Sequence, residues 1–206
     1  MKILLLAALG FPLVAQTYYP HHNFSIGLGA GQPRGDLTRF FDDSFGMNFG
    51  YGYRFHRYFQ VDAGLETVFG AAGVRDFLQN PTFGDLRIRD YQFLVPVGGR
   101  AILPLGTPRV LFSGGGGVAY MRYSEQLRQP SEYFRIDCPV CASRHGIGSY
   151  ALANLKVALD RYQRFWVGVT GRVYRGHTNG DPLGAQPGVR TRDHWVNIFG
   201  EFGFSF

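Results

Sequence analysis

The chain of 206 residues carries 29 glycines, 16% aromatic residues and only 17% charged ones. Disordered chains are poor in aromatics, and a typical soluble domain is ~25% charged. This composition therefore excludes a disordered segment and points to many close-packed strands. The formal net charge of +6 would suggest nucleic acid for a cytoplasmic protein, but the start of the chain reads as an export signal, so no nucleic-acid partner is expected.

In chain order, the first element is MKILLLAALGFPLVA. Lys2 supplies a positive start, Ile3 to Gly10 an apolar run, and Ala15 a small residue suited to signal peptidase. The run is shorter than the ~20 residues of a membrane-spanning helix. Residues 1–15 are read as a cleaved signal peptide and 16–206 as one domain.

Strict period-two alternation then recurs, the mark of strands with two different faces. Phe24, Ile26, Leu28 and Ala30 oppose Ser25, Gly27, Gly29 and Gly31. Phe45, Met47, Phe49, Tyr51, Tyr53 and Phe55 oppose glycines, Asn48 and Arg54. Phe59, Val61, Ala63, Leu65 and Phe69 oppose Gln60, Asp62, Gly64 and Glu66. Tyr91, Phe93, Val95 and Val97 oppose Gln92, Gly98 and Arg100. The run VLFSGGGGVAYMRY is a fifth strand whose phase assigns no faces. Alternate residues from Ala151 to Leu159 oppose Asn154 and Lys156, and Phe165, Val167, Val169 and Val173 oppose Gly168, Thr170, Arg172 and Tyr174. The eighth strand places Val196, Ile198, Phe202, Phe204 and Phe206 opposite Asn197, Glu201, Gly203 and Ser205.

Short connections (56–58, 104–108, 160–164) alternate with long ones rich in turn and loop residues (32–44, 70–86, 123–146, 176–192). An even number of strands with short turns on one side and long loops on the other predicts an all-β, eight-stranded, antiparallel up-and-down transmembrane barrel. Its loops are expected outside the cell and its termini in the periplasm. A soluble barrel would turn its bulky face inward; here the small and polar face fits a narrow lumen and the aromatic face fits lipid.

On these residues the sequence resembles the small eight-stranded outer-membrane barrels of the OmpA-like superfamily. The resemblance covers nearly all of 16–206. It implies the outer membrane, contact with membrane lipid and lipopolysaccharide, and a C-terminal signal at Phe202, Phe204 and Phe206 read by the barrel assembly machinery. The glycine usual five residues before the end is Glu201 here, with Gly200 one place off.

The inward positions hold seven charges: Arg54, Asp62, Arg100, Lys156 and Glu201 toward the periplasmic half, with Glu66 and Arg172 about one layer higher. Unpaired charges in a low-dielectric interior are costly, so they are expected to form a network that plugs the lumen. Glu66 and Arg172 lie on strands that face each other across the barrel and are expected to share a depth.

Cys138 and Cys141, in CPVC, are read as a loop disulfide of an exported chain. A redox pair and a zinc half-site with His145 are the alternatives. The segment RGHTNGD places His177-Thr178-Asn179 near the end of the barrel, where lipid A deacylases carry His-x-Ser-Asn, but the serine and the spacing are missing. Nine arginines at the outer ends (Arg87, Arg89, Arg122, Arg128, Arg135, Arg144, Arg175, Arg190 and Arg192) are either solvated loop tips or bidentate partners of lipopolysaccharide phosphates. The reading is a monomeric, non-enzymatic barrel with a structural or surface-interaction role, without cofactor, metal or catalytic residue. The alternatives are a lipid A-modifying enzyme and a small gated pore.

Overall fold

Large apolar residues alternating with small or polar ones form strands that bury one edge of the pleat and expose the other. The computed structural model describes residues 19–39, 41–69, 77–80, 84–87, 89–132, 135–182, 188 and 190–206. The expected signal peptide over 1–15 lies outside the described residues. The strands are β1 (His22–Pro33), β2 (Ser44–His56), β3 (Phe59–Phe69), β4 (Phe77–Asn80), β5 (Gly84–Arg87), β6 (Arg89–Leu105), β7 (Thr107–Glu132), β8 (Arg135–Ala158), β9 (Phe165–Gly180) and β10 (Thr191–Ser205). Eight of them close into one antiparallel barrel in the order β1-β2-β3-β6-β7-β8-β9-β10, while β4 and β5 form a separate hairpin.

The seam between β1 and β10 runs from Asn23↔Ser205 to Pro33↔Trp195. Beyond it, His22 and Phe206 exchange two backbone hydrogen bonds, 2.7 and 2.9 Å. Closure leaves no unpaired edge along this wall, as a strand in lipid requires.

Between its two rims the exterior is an apolar band. Phe24, Leu28, Phe49, Val61, Val97, Val118, Leu155, Val169, Ile198 and Phe202 all stand exposed on it. Rings cluster at the end that carries the termini, where Phe24 lies 5.0 Å from Tyr51 and Phe165 5.3 Å from Phe204. A second set, Phe69, Tyr91 and Phe93, lies toward the other end. Two aromatic girdles around an apolar band are the signature of a transmembrane barrel.

Three features differ from the sequence expectation. The stretch 123–146, read as a loop, is mostly strand: β7 and β8 stay paired from Val110↔Val157 up to Glu132↔Arg135. Its turn-forming residues misled because backbone pairing with a neighbouring strand outweighs local propensity. The stretch 70–86 contains β4 and the start of β5, and 32–44 contains a short 3-10 helix, Gly35–Arg39.

The third difference is the lumen, expected to be small and polar throughout. Its half away from the termini carries Val68, Leu94, Met121, Tyr123, Tyr174 and Trp195, all buried in one cluster with Tyr150 and Leu152. Leu37 and Phe41 enter this cluster from the β1–β2 connection, and Phe41 sits 5.7 Å from both Tyr123 and Trp195.

Candidate functional site: the lumen

Period two aims Asp62 and Glu66 of β3, Asn154 and Lys156 of β8, Thr170 and Arg172 of β9, and Asn197 and Glu201 of β10 into the barrel. Once there, a carboxylate or guanidinium must find partners, because neither water nor the wall supplies enough.

Glu66 and Arg172 meet through the centre. Arg172 Nη1 donates to Glu66 Oε1, and both side chains are almost completely buried. Asn197 Nδ2 donates to the other oxygen of Glu66 at 2.6 Å. Since β3 and β9 stand four strands apart in either direction around the barrel, this bond ties opposite walls together.

Nearer the termini, Arg100 Nε donates to Asp62 Oδ2 at 2.7 Å, and Gln60 Nε2 to Asp62 Oδ1 at 2.6 Å. Glu201 has no cationic partner within ion-pair distance among the described residues. It accepts instead from Asn48 Nδ2 and Thr170 Oγ1, each at 2.6 Å, and from Asn154 Nδ2 at 3.3 Å. Arg54 donates to the carbonyl of Arg57 and lies under the Tyr19 ring. Lys156 lies 4.9 Å from the centroid of the Trp166 ring. The seven charged positions therefore form two ion pairs, one carboxylate held by neutral donors and two cations held over aromatic rings.

A second buried cluster lies at the far rim. Arg144 Nε donates to Thr178 Oγ1 at 2.9 Å and its Nη2 to Thr191 Oγ1 at 2.9 Å; Thr178 and Thr191 donate in turn to Asp193, at 2.6 and 2.8 Å. Just inside it, Trp195 Nε1 donates to Tyr123 Oη at 2.9 Å. Sequence reasoning missed this cluster. It placed Arg144 among the loop arginines at the outer ends, but β8 continues past the expected loop boundary and turns Arg144 inward, where it is fully buried.

The other rim positions separate by strand parity. Arg122, Arg175 and Arg192 point outward and are exposed, and Arg190 is exposed just before β10. The side chains of Arg87, Arg89, Arg128 and Arg135 lie outside the described residues, as does that of Cys138. Cys141 lies on β8 opposite Gln126. His145 points outward, 6.3 Å from the Tyr120 ring. His177 is also outward, with Nδ1 3.3 Å from the carbonyl of Thr191, whereas Thr178 is buried inside. The histidine and hydroxyl of HTN thus lie on opposite faces of β9, out of the reach a base needs to activate a nucleophile.

Residues 3–133 match the family model described as outer membrane protein beta-barrel domain. The chain belongs to this outer-membrane β-barrel family. Solved structures of the same architecture include OprG from Pseudomonas aeruginosa, 17% identical with a TM-score of 0.50, covering 91% of this chain and 97% of that one. Neisserial surface protein A is 8% identical with a TM-score of 0.55, covering 90% and 97%. At these identities the likeness is one of fold. A comparison with curated proteins finds no match. For an outer-membrane barrel of eight strands, side chains suffice to fill the interior. Here the inward side chains lie in successive layers: charges near the termini, the Glu66–Arg172 tie, the aromatic cluster and the Arg144–Asp193 cluster.

Proposed function

We propose that this barrel is a closed, monomeric outer-membrane protein with a structural or surface-interaction role. The observation that carries the reading is the Glu66–Arg172 bond across the lumen, lying beneath the aromatic cluster that Leu37 and Phe41 enter. Both obstruct the axis that a pore would need. The separation of His177 from Thr178 supports a non-enzymatic reading. The long hairpins face outside the cell and the termini face the periplasm. Exposed Arg122, Arg175 and Arg192 are suited to lipopolysaccharide phosphates, which guanidinium binds in bidentate fashion. Phe202, Phe204 and Phe206 serve as the assembly signal. Cys138 and Cys141 form a disulfide; Cys141, the cysteine whose side chain is described, is not a free thiol, which supports it, and thiol labelling that finds either one free without reductant rejects it.

The test of function is the purified, refolded barrel in a planar bilayer, alongside mass spectrometry of lipid A incubated with it. Near-silent recordings and unchanged lipid A are expected. Steady conductance would replace the plug with the pore reading, and loss of an acyl chain would establish an enzyme.

A further inference from the structure

The half of the lumen nearest the termini keeps a small cavity that its side chains do not fill. It leaves about 20 Å³ for the centre of a water-sized sphere, enough for one or two waters. Lys156, Arg100, Asp62, Glu201 and Ser25 are among its lining. Both carboxylates are already engaged: Asp62 by Arg100 and Gln60, Glu201 by Asn48, Thr170 and Asn154.

Lys156 is the exception. Among the described residues its ammonium has neither a carboxylate nor a hydrogen-bond acceptor, only the Trp166 ring at 4.9 Å. That ring is fixed: Nε1 donates to Ser205 Oγ at 3.0 Å, and the ring lies against Gly203, where a Cβ would come within 2.1 Å of it. A π face attracts the cation from one side and leaves N–H donors to spare, since an ammonium has three. The surrounding charges do not balance it either. Arg54, Arg100, Lys156 and Arg172 against Asp62, Glu66 and Glu201 leave one positive charge in excess (4 − 3). Arg54 adds two further buried nitrogens, Nε and Nη1, without partners.

Lys156 is half-buried, and its ammonium keeps spare donors aimed at a cavity of net positive charge, which favours an anionic partner there. We propose that this cavity binds one small monovalent anion of halide size, held by the Lys156 ammonium with Arg100 as the second cation. The room for one or two water-sized groups suits a monatomic ion, and the excess positive charge favours an anion over water.

Bromide tests this directly, because it scatters anomalously. Crystals of the refolded barrel grown in sodium bromide should show an anomalous peak in contact with Lys156 Nζ. In solution, urea unfolding in sodium chloride or bromide is compared with sodium gluconate at equal ionic strength. Halide binding to the folded state alone raises the folding equilibrium constant by a factor of 1 + [halide]/Kd, about a hundredfold at one hundred times Kd. The effect should disappear in Lys156→Met and persist in Lys156→Arg. No bromide at Lys156, or an equal halide effect in the parent and Lys156→Met, would overturn the proposal. If Lys156→Met fails to refold, diffraction from the parent decides.

Discussion

Glu66 shows what a buried charge asks of its surroundings. One oxygen takes Arg172 and the other Asn197, so the carboxylate is saturated where water is excluded. Replacing Arg172 by Ala leaves Glu66 buried without its cation, which should cost about 3–5 kcal/mol. The double change Glu66→Ala with Arg172→Ala should recover part of that loss, because no orphan charge remains. Urea unfolding of the parent, both single mutants and the double mutant measures the coupling; additive losses would show that the two residues do not interact. Asp160 offers the contrasting exposed case, in the turn between β8 and β9. Desolvation raises its carboxyl, but the N–H groups of Phe165, Arg164 and Tyr162, together with its own, outweigh it and hold the group below its ordinary 3.8. A depressed folded value means that the turn is favoured above the ordinary carboxylate range and loses that support as pH falls through the folded value. The Arg164 and Phe165 amide shifts in a micelle sample should therefore titrate with a midpoint below 3.8; a midpoint at or above it contradicts this account.

Among the strands, β6 carries an irregularity with a chemical cause. Its ladder with β3 joins Ala63 to Val97 and Glu66 to Leu94, and skips the two pairs between. Pro96 lies in that gap and has no N–H to give, which is why proline is rare inside sheets. Pro96→Val restores a donor with a side chain that suits a strand. It should raise stability by about 1 kcal/mol, the net worth of one hydrogen bond, visible as a higher urea midpoint. An unchanged or lower midpoint would show that the gap is not limiting. The β7–β8 hairpin makes a related point: a stretch rich in Arg, Ser and Pro pairs along nearly its whole length because each strand supplies the other's hydrogen bonds.

The whole molecule depends on closing one seam. β1 and β10 are the first and last strands in sequence and neighbours in the barrel, and the last pair, His22 with Phe206, exchanges both backbone bonds. Phe206 also stacks on His22, with ring centroids 5.1 Å apart. Deleting Phe206 should lower assembly into the outer membrane more than a change at a loop tip such as Asp181. The heat-modifiable fraction on gels after membrane fractionation is the measure. Equal yields would show that closure tolerates loss of its final pair and that no terminal signal is read there.

The barrel was legible in the chain because lipid outside and a narrow lumen inside impose opposite chemistry on alternate residues. Phe24 to Ala30, or Val167 to Val173, announce their faces without reference to any neighbour. The inward direction of Asp62, Glu66, Arg172 and Glu201 follows from the same parity. Partner choice does not: Glu66 takes Arg172 from 106 residues away, whereas Glu201 takes Asn48, Thr170 and Asn154 and leaves Lys156 over an indole ring. Those outcomes depend on register and depth, which are properties of strand pairing around the closed wall. The same holds for Arg144. Its local sequence reads as loop, and its burial follows from how far β8 runs alongside β7 and β9. Period-two alternation is a local consequence of the pleat, while pairing across a lumen is set only when the sheet has closed.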